Sequence, residues 1–376
     1  MSTGPLPPPA TCPISWQPQA LTPVFYGARS LGPAEGAPVP LRIFFPSLDG
    51  AVESAPLLEG CARYPLVVLA HGNCNGDPNH YRRWYRLPAQ LARSGYIVVV
   101  PLLAGIAGGT HPSAENHPDL ATLTAVVAWA RTGWESAHVV LPPPATGVVG
   151  HSFGALLGAR FAAHAKVSAY AGLSGVWEDW PARPFPIEEV DAPTLLVWGG
   201  ALDLFTALPA SIWEQLPTPR HRVVFAEGEH WDYLGPVDLP CNPGGPGPCH
   251  HLGAATDDLV TMFFARYLPP ELATDLPDRV PPSLRPPKLV LTFDQEFYAG
   301  GFLGGFEALA GSAGCGVDVS FAMPTLVANR RTHETHSLDR PCSWVHLISP
   351  RNRVLVSVRP TGYNWCDFCF PRRADG

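Results

Sequence analysis

Lysine is almost absent: Lys166 and Lys288 are the only two among 376 residues, so nearly all positive charge is arginine. Net charge is −7 and the pI is near 6, which leaves no electrostatic footprint for nucleic acid. With abundant Ala, Gly and Pro beside it, the lysine deficit reads as base-composition bias and carries no function. Charged residues make up only 15% against 46% apolar, a globular rather than a disordered balance. Long apolar runs are also missing. Pro, Arg or His interrupts each candidate before the ~18–20 residues of a membrane span, so no transmembrane segment is expected. The N-terminus, MSTGPLPPPATCPISWQPQ, has neither a basic n-region nor an apolar h-region; its prolines suggest an extended arm. A regular cysteine framework is lacking too, since the nine cysteines are an odd number without framework spacing. That favours reduced thiols and a cytoplasmic location. Cys366 and Cys369, with Cys241, Cys249, His250 and His251, lack zinc-finger spacing, so no metal is expected. A loop-closing Cys241–Cys249 disulfide is the alternative for an exported protein.

What is present is alternation. From about residue 23 to 268, short apolar runs resembling strands alternate with helical patterns: "PLRIFFPS", "YPLVVLAHGN", a helical stretch Tyr81–Ser94, "YIVVVPLL", then "HPDLATLTAVVAWARTGW" with Asp119 or Thr122 as cap. "TGVVG" follows, then a helix Ala155–Ala163, the strands "KVSAYAGLSG", "APTLLVWGG" and "RHRVVFAEG", a helix "ALPASIWEQL", and a closing helix "DDLVTMFFARYL". This order predicts an α/β fold with a mostly parallel central sheet and helices on both faces. Residues 1–22 are read as the arm, 23–268 as the main α/β domain, and 269–287 as a Pro-rich linker. Residues 288–376, with "KLVLTF", "WVHLISPRNRVLVSVRP" and a Gly-rich stretch Phe297–Gly316, are read as a small β-rich C-terminal appendage whose role and partner stay unassigned.

Ligands of such sheets bind beyond the carboxyl ends of the strands. There lies Gly150-His151-Ser152-Phe153-Gly154, a Gly-x-Ser-x-Gly pattern between a strand and a helix. Serine is a poor nucleophile without a histidine base held by a carboxylate. In this architecture the acid and then the histidine follow the serine along the chain. Asp203 follows the strand "TLLVWGG", and His230 follows "RHRVVFAEG". His151, His164, His221, His250 and His251 compete for the base, and Asp191, Asp232, Asp257 and Asp258 for the acid. Asp191 precedes its strand and Asp232 follows the histidine. The oxyanion hole draws one backbone N–H from Phe153 and one from Asn73 in "LAHGNCNG". His151 is expected to line the pocket. Trp177, Trp180 and Phe185, in "LSGVWEDWPARPFPIEEVDAP", are read either as an apolar wall for an acyl or alcohol group or as core packing. Cys74, beside the oxyanion loop, is taken as structural.

"LRIFFPS", "YPLVVLAHGNCNG", "LARSGYIVVVP", "VVGHSFGA", "TLLVWGGALD" and "EGEHWDYL" occur in the order found in dienelactone hydrolase-like α/β-hydrolases. The chain resembles the branch that holds platelet-activating-factor acetylhydrolases, chlorophyllases and bacterial cutinase-like polyesterases, over roughly residues 23–268. The resemblance implies the α/β-hydrolase fold, Ser152 as nucleophile, Asp203 as acid, His230 as base, oxyanion donors at Asn73 and Phe153, and no cofactor. Its expected activity is hydrolysis of a small-molecule or lipid-like carboxylic ester. An amidase, an acyltransferase or a non-catalytic scaffold binding a protein partner are the alternatives. One departure stands out: where relatives often carry Asp after the "VVVAP"-type strand, this chain has Pro101-Leu102-Leu103. The loop that follows is expected to shape a different mouth.

Overall fold

The computed structural model describes residues 25–47, 49–59, 63–73, 76–112, 116–175, 187–199, 203, 213, 215–217, 219–225, 229–231, 252–269, 317–322, 326–337, 348, 353–356 and 363–366. Its first half alternates as the apolar runs require: β1 (Phe25–Leu31), β2 (Leu41–Ser47), β3 (Leu66–Ala70), α1 (His80–Arg83), α2 (Arg86–Arg93), β4 (Ile97–Pro101), α3 (Ala104–Ala107) and α4 (Pro118–Thr132). β5 (Thr146–His151), α5 (Phe153–Ala165), β6 (Ala169–Leu173), β7 (Thr194–Gly199), β8 (Arg220–Phe225) and α6 (Leu252–Tyr267) follow. The expected helix "ALPASIWEQL" and the strand "KLVLTF" fall largely or wholly outside the described residues.

These strands build one nine-stranded sheet in the order β1-β2-β4-β3-β5-β6-β7-β8-β9, where β9 is Val317–Ala322. The run β4-β3-β5-β6-β7-β8 is parallel, and β1, β2 and β9 are antiparallel at the two edges. Continuous apolar composition in β3 to β6 reflects burial on both faces. Val67 and Leu69 of β3 pack into the layer of α2 and α6 with Leu87, Leu91, Phe263 and Phe264. Val68 and Ala70 face the opposite layer, with Leu123 of α4 and Leu156 and Leu157 of α5. Arg86 of α2 and the buried Asp257 of α6 are ion-paired, which joins two helices of the first layer. Asp257 is thereby committed to structure, and Asp191 is exposed before the start of β7. Among the described residues no helix is long and apolar enough to cross a membrane.

Several local features depart from the sequence expectation. Helix 81–94 is broken at Trp84 and Tyr85 into α1 and α2. The cap of α4 is neither Asp119 nor Thr122 but His117, whose Nδ1 accepts the Asp119 N–H at 3.2 Å, with Pro118 opening the helix. The Asp119 carboxylate instead accepts the N–H groups of Gly105 and Ile106 at 3.2 and 2.8 Å. It thereby fixes α3 in the loop that begins at the unusual Pro101-Leu102-Leu103. The C-terminal segment also holds a four-stranded sheet, β12-β10-β11-β13, from β10 (Leu326–Asn329), β11 (Glu334–Ser337), β12 (Arg353–Val356) and β13 (Asn364–Trp365).

β9 ties this C-terminal segment to the main sheet. It pairs with all six residues of β8, from Arg220↔Ala322 to Phe225↔Val317, and so covers the edge of the strand that leads to His230. An uncovered edge is a template for self-association. A chain ending at residue 287 is therefore expected to melt at a lower temperature and to associate, as read by circular dichroism and size-exclusion chromatography. An unchanged melt and a monodisperse profile would contradict the β8–β9 pairing.

Candidate active site

Ser152 sits on the turn from β5 into α5 with φ 56° and ψ −125°, a left-handed backbone that a non-glycine residue rarely adopts. Such a conformation costs about 1–3 kcal/mol and persists only where its surroundings impose it. Two hydrogen bonds do so here: Ser152 N–H donates to Leu173 O of β6, and Ala155 N–H to Ser152 O, both at 3.0 Å. The flanking glycines allow β5, α5 and the end of β3 to touch. A Cβ on Gly150 would overlap Gly154 O, and one on Gly154 would overlap Ala70 O and His71 O. The helix Phe153–Ala165 thus begins against the carboxyl end of β3. Phe153 opens it, in the first turn, where N–H groups lack an intrahelical acceptor.

The loop after β3 approaches the same point. A Cβ on Gly72 would lie 2.7 Å from the Ser152 Cβ, so only a bare backbone fits there. Asn73 is half-buried, and its Oδ1 accepts the Gly76 N–H at 3.2 Å. His71 holds this loop in place. Its Nδ1–H donates to Gly72 O at 2.8 Å, and its Nε2 accepts the Leu103 N–H at 3.0 Å. The His111 ring lies edge-on to Phe153, with centroids 5.1 Å apart, which brings the loop after α3 to the mouth of the same site.

Asp203 and His230 are both buried and meet, with His230 Nδ1 3.0 Å from Asp203 Oδ1. Ser174, just past β6, joins them: its Oγ lies 2.7 Å from His230 Nδ1 and donates to Asp203 Oδ2. No sequence motif marks this serine, and the expected carboxylate and histidine past successive strands do not include it. The available signal was its place, at the carboxyl end of a parallel strand like the other site residues.

His151 is wholly buried, and its Nε2–H donates to His230 O at 2.9 Å. Its ring packs against those of His230, Trp84 and Trp231, with centroids 4.8, 5.6 and 5.6 Å away. The residue beside Ser152 in the chain therefore braces the turn that carries His230. Trp177, Trp180 and Phe185 lie outside the described residues, as do Cys74, Cys241, Cys249, Cys369, Asp232, His250 and His251. His221 is committed elsewhere, its Nε2 2.9 Å from the Tyr267 hydroxyl. His164 Nδ1 donates to Arg160 O within α5. Cys366 is buried, and among the described residues no three His, Cys, Asp or Glu side chains converge to hold a metal ion.

A model of the alpha/beta hydrolase fold matches residues 65–188, the span from the start of β3 to the turn before β7. With the sheet order and the turn at Ser152, this match defines the chain's architecture as the α/β-hydrolase fold, carrying a small antiparallel β element towards its C-terminus. No curated protein matches the chain.

Burial sets the charge of the surrounding histidines. It lowers the pKa of His71 to about 4; that of His80 falls to about 2, with His71 adding to the effect, and that of His151 to about 3, with His230 adding. His221 falls to about 3 through burial and the nearby Arg266. Groups with lowered folded values bind fewer protons folded than unfolded, so their stability is complete above pH 6.5 and is lost as pH falls towards those values. Each such histidine removes about 1.4 kcal/mol per pH unit below 6.5. Urea unfolding between pH 7 and 5 is expected to show this decline, and His221→Gln to reduce its slope by about one proton. Stability independent of pH across that range would contradict the neutral, buried state.

Proposed function

We propose that the chain is a serine hydrolase that cleaves carboxylic esters through Ser152, His230 and Asp203. The observation that carries this reading is the buried His230–Asp203 hydrogen bond, braced by the residue adjoining a serine held at φ 56°. With Nδ1–H committed to Asp203, the imidazole keeps Nε2 as the basic nitrogen. His230 Nε2 takes the Ser152 hydroxyl proton as Oγ attacks the ester carbonyl. The negative charge that develops on the carbonyl oxygen is received by the backbone N–H groups of Phe153 and Asn73. Collapse expels the alcohol, which receives the proton from His230, and leaves an acyl-Ser152. Water then repeats the sequence and releases the acid.

The Gly72 approach to Ser152 supports the oxyanion assignment, because it brings the loop that carries Asn73 against the nucleophile. For specificity, Trp177 and Trp180 are the proposed acyl or alcohol wall, with His151 as a pocket residue. The substrate class is a small or lipid-like ester with an aliphatic or aromatic part.

The test is pre-steady-state hydrolysis of 4-nitrophenyl esters of graded acyl length. A burst of about one nitrophenol per chain is expected from the acyl-enzyme. Ser152→Ala should abolish it, and His230→Gln or Asp203→Asn should lower kcat by about 10⁴-fold or more. Absence of turnover across the panel, or turnover that survives Ser152→Ala, would refute the assignment and leave a scaffold without catalysis.

A further inference from the structure

We infer that Ser174 is a positioning residue for the proposed reaction, fixing the Asp203 carboxylate and the His230 imidazole as one hydrogen-bonded triangle. The inference rests on Asp203 and His230 serving Ser152 as proposed above. Three contacts define the triangle. His230 Nδ1 lies 3.0 Å from Asp203 Oδ1 and 2.7 Å from Ser174 Oγ, and the Ser174 hydroxyl donates to Asp203 Oδ2. The donor count closes without conflict. The single Nδ1 proton is shared between Oδ1 and the Ser174 oxygen, the serine proton goes to Oδ2, and the carboxylate accepts on both oxygens.

This geometry separates Ser174 from the nucleophile. Ser174 contacts Nδ1, the nitrogen that Asp203 occupies, whereas a nucleophile must present its proton to Nε2 on the other side of the ring. Ser174 is buried, and its Oγ is committed to Asp203 and to His230 Nδ1. Its role is exerted through the two groups it holds. An imidazole held by one carboxylate oxygen can swing about that contact. A second contact on the same nitrogen, anchored in turn to the second carboxylate oxygen, resists both rotation of the carboxylate and tilt of the ring. Errors of about 1 Å in such placements cost up to about 100-fold in rate.

The backbone supplies an independent argument. Ser174 has φ 45°, the left-handed region that favours glycine, and glycine stands next in the chain at position 175. A Cβ at position 174 therefore carries a conformational cost that glycine would avoid, and the hydroxyl it delivers makes two buried hydrogen bonds that glycine would lose. The position is rigidly anchored as well, since Ser174 N–H donates to Val197 O of β7 at 2.6 Å. Asp203, beyond β7, and His230, beyond β8, thus meet a fixed point at the end of β6.

The experiment compares Ser174→Ala with Ser174→Gly in the full chain. Both remove the hydroxyl, and the glycine variant also relieves the φ 45° backbone. Rates of phosphonylation by a fluorophosphonate and of 4-nitrophenyl butyrate hydrolysis are measured, with folding checked by circular dichroism. Both variants are expected to lose about 10- to 100-fold in phosphonylation rate and kcat, with KM changed less than about twofold. The downfield proton resonance of His230 Nδ1–H should move in both. Ser174→Cys, close in volume but a weak donor, should show the same loss and serves if the smaller variants fail to fold. Wild-type rates in the folded variants, or wild-type rates in Ser174→Gly alone, would overturn the inference; the latter result would assign the effect to backbone strain. A wild-type chain that is neither phosphonylated nor active on esters would defeat the parent reading, and the inference with it.

Discussion

The reversal at Ser152 is the constraint on which the rest of the site depends. β5 runs down the middle of a parallel sheet with both faces buried, and its chain must turn into α5 within one residue. That turn requires the left-handed backbone at Ser152, tied to Leu173 O of β6 and to the first turn of α5. It also requires glycine at 150 and 154, because α5 begins in contact with the carboxyl end of β3. The same contact draws Gly72 against Ser152 and carries Asn73 with it. Strain at one residue, sustained by packing on three strands, places a hydroxyl and two loops at one point.

Around that point the protein uses histidine for two different purposes. His71, His80 and His151 are buried and kept neutral by loss of solvent, and His71 and His151 are employed as fixed donors and acceptors. His71 ties the loop after β3 to Leu103, and His151 ties the turn at Ser152 to the turn at His230. His230 differs in being held through Nδ1 by a carboxylate and a hydroxyl. The distinction is made by partners rather than by residue type. The His151 link also explains how residues separated by β6, β7 and β8 in the chain keep a common register.

Much of the sheet was legible in the sequence because β3 to β7 are short, mostly apolar runs separated by helical patterns, and burial on both faces leaves little else for such runs to be. The position of Ser152 followed from the same logic, since a strand, a glycine-flanked serine and a slim helix occur in immediate succession. β1 was not anticipated: its seven residues include Gly27, Arg29 and Ser30, and its burial depends on pairing with β2 rather than on its own pattern. β9 was equally hidden, because edge pairing across about a hundred residues leaves no local trace. His117 displaced two conventional caps because its ring nitrogen reaches the same N–H that an Asp side chain would. Ser174 was missed because a serine followed by glycine reads as an ordinary turn. Its meaning lies only in the two side chains that β7 and β8 bring to it.

Ser174 lies against the Nδ1 side of His230, and the proposed mechanism puts Ser152 to work on the Nε2 side. Tandem mass spectrometry of the fluorophosphonate-treated wild-type chain separates them directly. A single adduct on the Ser152 side chain is expected, with the peptide containing Ser174 unmodified. An adduct on Ser174, or modification distributed over serines unrelated to His230, would contradict the proposed mechanism.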